Sequence, residues 1–98
     1  MEGVKRIATE RRKQIRLYGW TRAHDDRKDD KELTRAAIAH AAKAVGLIGE
    51  IPDTWPWSKD DDRRPDDPTI PERIHQLARA GALLAAEIDR LLALNKDT

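Results

Sequence analysis

The 98-residue sequence has no cysteine and no phenylalanine. Without Cys there is no disulfide framework, no thiolate zinc site and no thiol nucleophile. Without Phe, three Trp and one Tyr are the only aromatic bodies available to a core or a pocket. No run of 18 apolar residues occurs, so no membrane-spanning helix is expected. Met1-Glu2-Gly3-Val4-Lys5-Arg6 lacks the apolar stretch of a secretory signal, and the expected setting is the cytoplasm of a bacterial host. Common catalytic signatures are missing too. There is no Gly-rich phosphate loop, no Gly-x-Ser-x-Gly and no His-Glu-x-x-His, and Asp60-Asp61-Asp62 lacks the glycine and ligand spacing of a calcium loop. The paired helical Glu-x-x-Glu or Glu-x-x-Asp motifs of an all-helical nucleotide pyrophosphohydrolase are absent as well. No catalytic residue, cofactor or metal ligand is therefore assigned.

What is present is charge, unevenly distributed. Charged residues make up 38% of the chain and hydrophobic ones 39%, with a formal net charge of +1, so nothing biases the whole chain toward nucleic acid. Residues 1–22 carry seven basic and two acidic side chains, whereas residues 59–68 carry five Asp against three basic residues. Such asymmetry can steer partners, although it commonly marks solvated surface. The one basic helix is interrupted by Glu2 and Glu10, and no DNA partner is expected.

Periodicity predicts a single, mainly α domain over 1–98, with three helices, a Gly-Trp turn or short hairpin, and a long Pro-rich loop. Val4, Ile7, Ala8, Ile15 and Tyr18 mark the first helix, over 4–17, with Gly19 as its stop. The second starts near Asp29 or Asp30, where Asp29 and Glu32 resemble a capping box, and its stripe is Leu33, Ala36, Ala37, His40, Ala41 and Ala44, closed by Val45-Gly46. Four prolines between residues 46 and 68 forbid a long helix there. Leu47, Ile48, Ile51, Trp55 and Trp57 pack its first half down, and residues 59–68 form a mobile Asp-rich loop. The third helix begins at the cap Thr69, with Pro71 and Glu72 in its first turn. Its stripe is Ile74, Leu77, Gly81, Leu84, Ile88, Leu91 and Leu92; Arg73 and Glu87 fall at the edge, and Leu83 and Leu94 well off it. Ala78 to Ala86 is apolar nearly all round, apart from Arg79. With 19 large aliphatics in the whole chain, a lean core points to a homo-oligomer through helix 70–94.

Three clusters could carry chemistry. Trp20, Thr21, His24, Asp25 and Asp26 combine a stacking face with hydrogen-bonding groups or oxygen and nitrogen ligands, although Thr and Asp are also ordinary turn residues. Trp55-Pro56-Trp57 places two rigid rings either around a planar ligand or as plugs of a core lacking Phe. Arg73, Glu87 and Arg90 can form a boundary ion pair or face an anion. His40 on an apolar stripe reads as a satisfied core histidine, and His75 falls on the polar face with no visible role.

The order Glu10-Arg11-Arg12-Lys13-Gln14-Ile15, Gly19-Trp20-Thr21, His24-Asp25-Asp26, Trp55-Pro56-Trp57 and Arg79 through Leu91 resembles a family of small phage and prophage proteins of unassigned function. It implies no particular activity. Gly19-Trp20-Thr21 followed by Asp25-Asp26 also resembles, locally, the ryanodine-receptor repeat module, without that module's proline-containing stretch before its second helix. This second likeness implies binding of nucleotide derivatives in a pocket at Trp20, His24 and Asp26. The expectation is a phage-type binding protein, more a binder than an enzyme, that holds a nucleotide-like molecule and so sequesters a host defence signal. In it Trp20 and Trp57 stack on the ring, His24, Asp25 and Asp26 hydrogen-bond it, and Arg73 and Arg90 face phosphate. Two alternatives stand beside it. One is a non-catalytic protein-interaction or inhibitor module acting through the apolar third helix. The other is a metal-assisted nucleotide hydrolase using His24 and the aspartates.

Overall fold

A computed structural model describes residues 1–18, 31–47, 53–57 and 64–97. These form three helices, α1 (Glu2–Tyr18), α2 (Glu32–Ala44) and α3 (Ile70–Asp97), with no strand among the described residues. The fold is the mainly α three-helix arrangement that periodicity predicts. The Gly-Trp turn and Gly19 lie outside the described residues.

The start of α3 follows from its first four residues. The backbone N–H of Thr69 donates to Glu72 Oε1 at 2.9 Å, and the N–H of Glu72 donates back to Thr69 Oγ1 at 3.3 Å. This reciprocal capping box satisfies donors that no intrahelical carbonyl can reach. Accepting two hydrogen bonds favours the charged form of Glu72. Its carboxyl is held below the usual carboxylate range, first by the Thr69 N–H and then by the Thr69 hydroxyl.

α2 begins differently from expectation. Lys31 is the cap, in the left-handed region at φ 62°, and its side chain makes no capping bond. Glu32 therefore stands at the first helical position rather than the third and cannot close a box with Asp29, which lies outside the described residues. Glu32 is used elsewhere, as an acceptor from Trp57 Nε1 at 3.1 Å. The end of α2 does match. Gly46 sits at φ 76°, its N–H donates to Lys43 O, and the Leu47 N–H donates to Ala42 O. This double bond pattern is a Schellman closure, which favours glycine at the left-handed position. The carbonyl of Ala44 is taken by Arg73 Nε at 3.0 Å.

α2 runs antiparallel to α3, with Ala44 opposite Arg73 and His40 opposite Gln76. Between them lies the core, made of Leu33, Ala36, Ala37, Ala80, Leu83 and Ala86, with Ala41, Trp55 and Trp57 packed on its margin. Alanines on both surfaces let the backbones approach closely, so a small chain gains contact without many large side chains. α1 packs on another side of α3. Ile7 fills the notch at Gly81, where an added Cβ would stand 2.7 Å from Ile7 Cδ1 and Cγ1.

The buried face of α3 is not the large-aliphatic stripe. Leu83, expected well off that stripe, is 2% exposed and central to the core, whereas Leu84 is 44% exposed. Gln76, Ala80, Leu83, Glu87 and Arg90 are buried, and Ile74, Leu77, Ile88, Leu91 and Leu92 are about half-exposed. Length contributes to this. At 1.5 Å per residue, the 13 residues of α2 cover about 20 Å and the 28 of α3 about 42 Å, so one end of α3 runs beyond its partner. The longest extent of the protein is likewise 42 Å.

Candidate functional site

The densest chemistry among the described residues is a layer of polar and aromatic groups along α2. Asp53 N-terminal to the Trp pair accepts from the Trp55 N–H at 3.1 Å, and Thr54 Oγ1 donates to Arg35 O at 2.8 Å, so the segment is pinned to α2. Trp55 meets His40 edge to face at 5.4 Å between ring centres and meets Trp57 in the same manner at 5.2 Å. Arg64 caps the layer. Its side chain is 3% exposed, its guanidinium carbon lies 4.9 Å from the Trp55 ring centre, and it donates to Ala39 O at 3.1 Å and Asp53 Oδ2 at 3.3 Å. A guanidinium desolvated over an indole contributes about 1–2 kcal/mol, more than the same contact in water. On the other side, His40 Nδ1 donates to Gln76 Oε1, tying α2 to α3.

Trp55 and Trp57 both pack on the margin of the core. Their planes stand at 89°, so they do not form a parallel-walled slot for a planar ring. Of the two readings of this pair in the sequence, a ligand slot and a core plug, the contacts given above are those of a plug. His40 is the satisfied core histidine expected of its position.

The third cluster comes apart. Glu87 accepts from Arg90 Nε within a buried pair, as spacing along a helix allows. Arg73 caps the C-terminal end of α2 instead. Seventeen residues of continuous helix separate Arg73 from Arg90, about 26 Å along the axis, so they cannot face one phosphate together. Trp20, Thr21, His24, Asp25 and Asp26 lie outside the described residues, so the structure places none of them against the Trp pair. No group of three or more His, Asp or Glu side chains able to hold a metal occurs among the described residues.

Three participants were missed from the sequence. Arg64 stands in the Asp-rich run 59–68, which reads as solvated. In the structure Arg64 is buried, and beside it Lys43 Nζ donates to Arg64 O at 3.3 Å and pairs with Asp66 at 2.8 Å. Residues 59–63 of the run lie outside the described residues. Gln76 reads as an ordinary polar helix residue, and His75, which had no visible role, lies 3.0 Å from the shielded Glu10 carboxylate of α1. No sequence signal singles out Arg64, since Lys59 and Arg63 are cations closer to the Trp-Pro-Trp unit.

A shallow groove of about 360 Å³ opens between α1 and the C-terminal part of α3, lined by Arg11, Ile15, Asp89, Leu92, Ala93 and Lys96. Charges of both signs line it, so it favours no single class of ion. No helix among the described residues is long and apolar enough to cross a membrane.

Fold and site thus define a small helical domain whose buried polar groups serve its own packing and whose longest helix shows an apolar face. In comparisons with protein-family models, curated proteins and solved structures, the chain matches none.

Proposed function

We propose that this chain is a non-catalytic interaction module that acts through the exposed apolar face of α3. One observation carries the reading: Ile74, Leu77, Leu84, Ile88, Leu91 and Leu92 are each between 42% and 57% exposed on one helix. Scattered surface leucines need no explanation, but a contiguous stripe of large aliphatics does. Its exposure is unfavourable in water, and covering it by a folded partner supplies a driving force without any catalytic group.

The nucleotide-like reading now rests on Trp20, Thr21, His24, Asp25 and Asp26 alone. Trp57, Arg73, Glu87 and Arg90 already have partners within the fold. The hydrolase reading rests on the same undescribed segment.

A photo-crosslinking residue placed at Leu84 in the full chain, and irradiated in cells, should give covalent protein adducts. The same residue at Arg12, on the exposed polar side of α1, should give none or far fewer. Equal yields at the two positions, or no adduct at Leu84, would sink the interaction reading.

A further inference from the structure

We propose that the partner for this face is a second copy of the chain, with α3 packed against α3 in heptad register. The inference rests on the interaction reading above and names its occupant. The stripe Ile74, Leu77, Gly81, Leu84, Ile88, Leu91, Asn95 advances by three and four residues in strict alternation. This is a repeat of 3.5 residues, the spacing that keeps one seam facing another helix over its whole length. Within it every seventh residue from Leu77 is Leu, and the other set runs Ile74, Gly81, Ile88, Asn95. A β-branched residue at one seam position with Leu at the other is the combination that favours two-stranded pairing.

α3 in fact carries two such seams. Gln76, Ala80, Leu83, Glu87 and Arg90 follow the same alternation, and they are buried in the fold, with His40 and Leu33 of α2 among their neighbours. The seam from Ile74 to Asn95 is the richer of the two in large aliphatics, yet it is the one left half-exposed. Its flanks carry little charge. Ala78 and Ala80 beside it are already covered within the fold, Ala85 is partly open, and Glu87, the one charged residue beside its middle, is buried and paired with Arg90. An uncharged seam offers an oppositely charged partner nothing to read, whereas a second copy presents the same neutral surface. The net charge of +1 sets little repulsion between copies.

The area agrees. The six half-exposed side chains amount to roughly 550 Å² per protomer, so a symmetric pair would bury about 1,100 Å² from them alone, near the lower limit of specific interfaces. Ile7 occupies the notch at Gly81, so a partner helix would ride over Ile7 there and seat on Ile74 and Leu77 on one side and on Leu84, Ile88 and Leu91 on the other.

Leu84 lies near the midpoint of the stripe 74–95, so it meets its own counterpart when the two helices run parallel and lies within about one helical turn of it when they run antiparallel, buried in both. This makes the test independent of orientation. Sedimentation equilibrium of the full chain, from micromolar to several hundred micromolar, should show a mass rising to twice 11.2 kDa. Leu77→Asp and Leu84→Asp should return it to the single-chain mass, a twofold fall, with the far-ultraviolet helical signal kept at low concentration. Should either variant unfold, Leu84→Cys supplies a separate reading in this cysteine-free chain: it should form a disulfide-linked pair on oxidation, while Arg12→Cys should not. A wild type at 11.2 kDa throughout with no Leu84→Cys pair overturns the proposal, as does a dimer that survives both Asp variants in folded form. Adducts at Leu84 only to other proteins would overturn pairing and leave the interaction reading standing, whereas no adduct at all removes both.

Discussion

Leu83 and Leu84 are adjacent in sequence and opposite in consequence, and replacing each by Ala separates two pictures of α3. Leu83 is 2% exposed and touches a core built largely of alanines, which cannot move in to fill the space that it would leave. Truncation of such a leucine removes the transfer free energy of its lost carbons and leaves a cavity, together about 3–4 kcal/mol. That is a large part of the total for a chain of this size, on the order of 5–10 kcal/mol. Leu84 keeps nearly half its surface in water, so its loss costs less than about 1 kcal/mol in the single chain. With a urea slope of about 1 kcal/mol per molar, Leu83→Ala should lower the unfolding midpoint by about 3 M and Leu84→Ala by less than 1 M. Both should be followed by far-ultraviolet circular dichroism at low micromolar concentration, where association contributes little. If Leu84→Ala proves as damaging as Leu83→Ala under those conditions, the assignment of the buried face of α3 is wrong. At high concentration the Leu84 variant should lose ground relative to wild type and the Leu83 variant should not, because self-association stabilises by mass action.

Gly81→Ala should destabilise despite the gain of about 1 kcal/mol that alanine brings to a helix interior, because Ile7 occupies the space; adding Ile7→Ala should restore that gain, and a coupling near zero in the double-mutant cycle would refute the contact. Arg64→Lys should lower the melting temperature by about 5–15 °C, for a loss of about 1–2 kcal/mol, since a single ammonium cannot replace a guanidinium that reaches Ala39 O and Asp53 while sitting over Trp55; an unchanged melt would show the guanidinium to be idle. Glu72 has a depressed carboxyl, so its contribution is present above the ordinary carboxylate value of about 4.3 and is lost as pH falls through the lower folded value. Urea midpoints of wild type and Glu72→Ala should therefore differ at neutral pH and converge toward pH 3, and a gap that stays constant across that range would remove the capping box as its cause.

Local rules in this chain were legible and long-range ones were not. Thr69-x-x-Glu72 and Val45-Gly46 announce helix ends because the groups that satisfy each other are five or fewer residues apart. The stripe of α2 was legible because Leu33, Ala36, Ala37, His40 and Ala44 recur at helical spacing, although in the nearly all-apolar run 36–42 the same spacing did not single out the buried Ala39. On α3 the same reasoning pointed to a real apolar stripe but not to the surface that the chain itself covers. Ala80, Leu83 and Ala86 are poorer in carbon than Ile74, Leu77 and Ile88, yet they face α2 because alanines there allow a closer approach. Nothing local predicts that Arg64 leaves an Asp-rich run to cap Trp55, since both the carbonyl and the carboxylate that it needs come from other segments.

The bond between His40 and Gln76 has a further consequence for how the chain finds its structure. A surface of alanines is smooth: Ala36 and Ala37 against Ala80 would fit nearly as well if α2 slid one turn along α3, about 5.4 Å. Burying an imidazole and an amide is unfavourable unless they meet, and they meet in one alignment. The pair thus acts less as a source of stability than as a pin, raising every slipped alignment by the penalty of two unsatisfied polar groups, while Trp55 covers the imidazole from its other side.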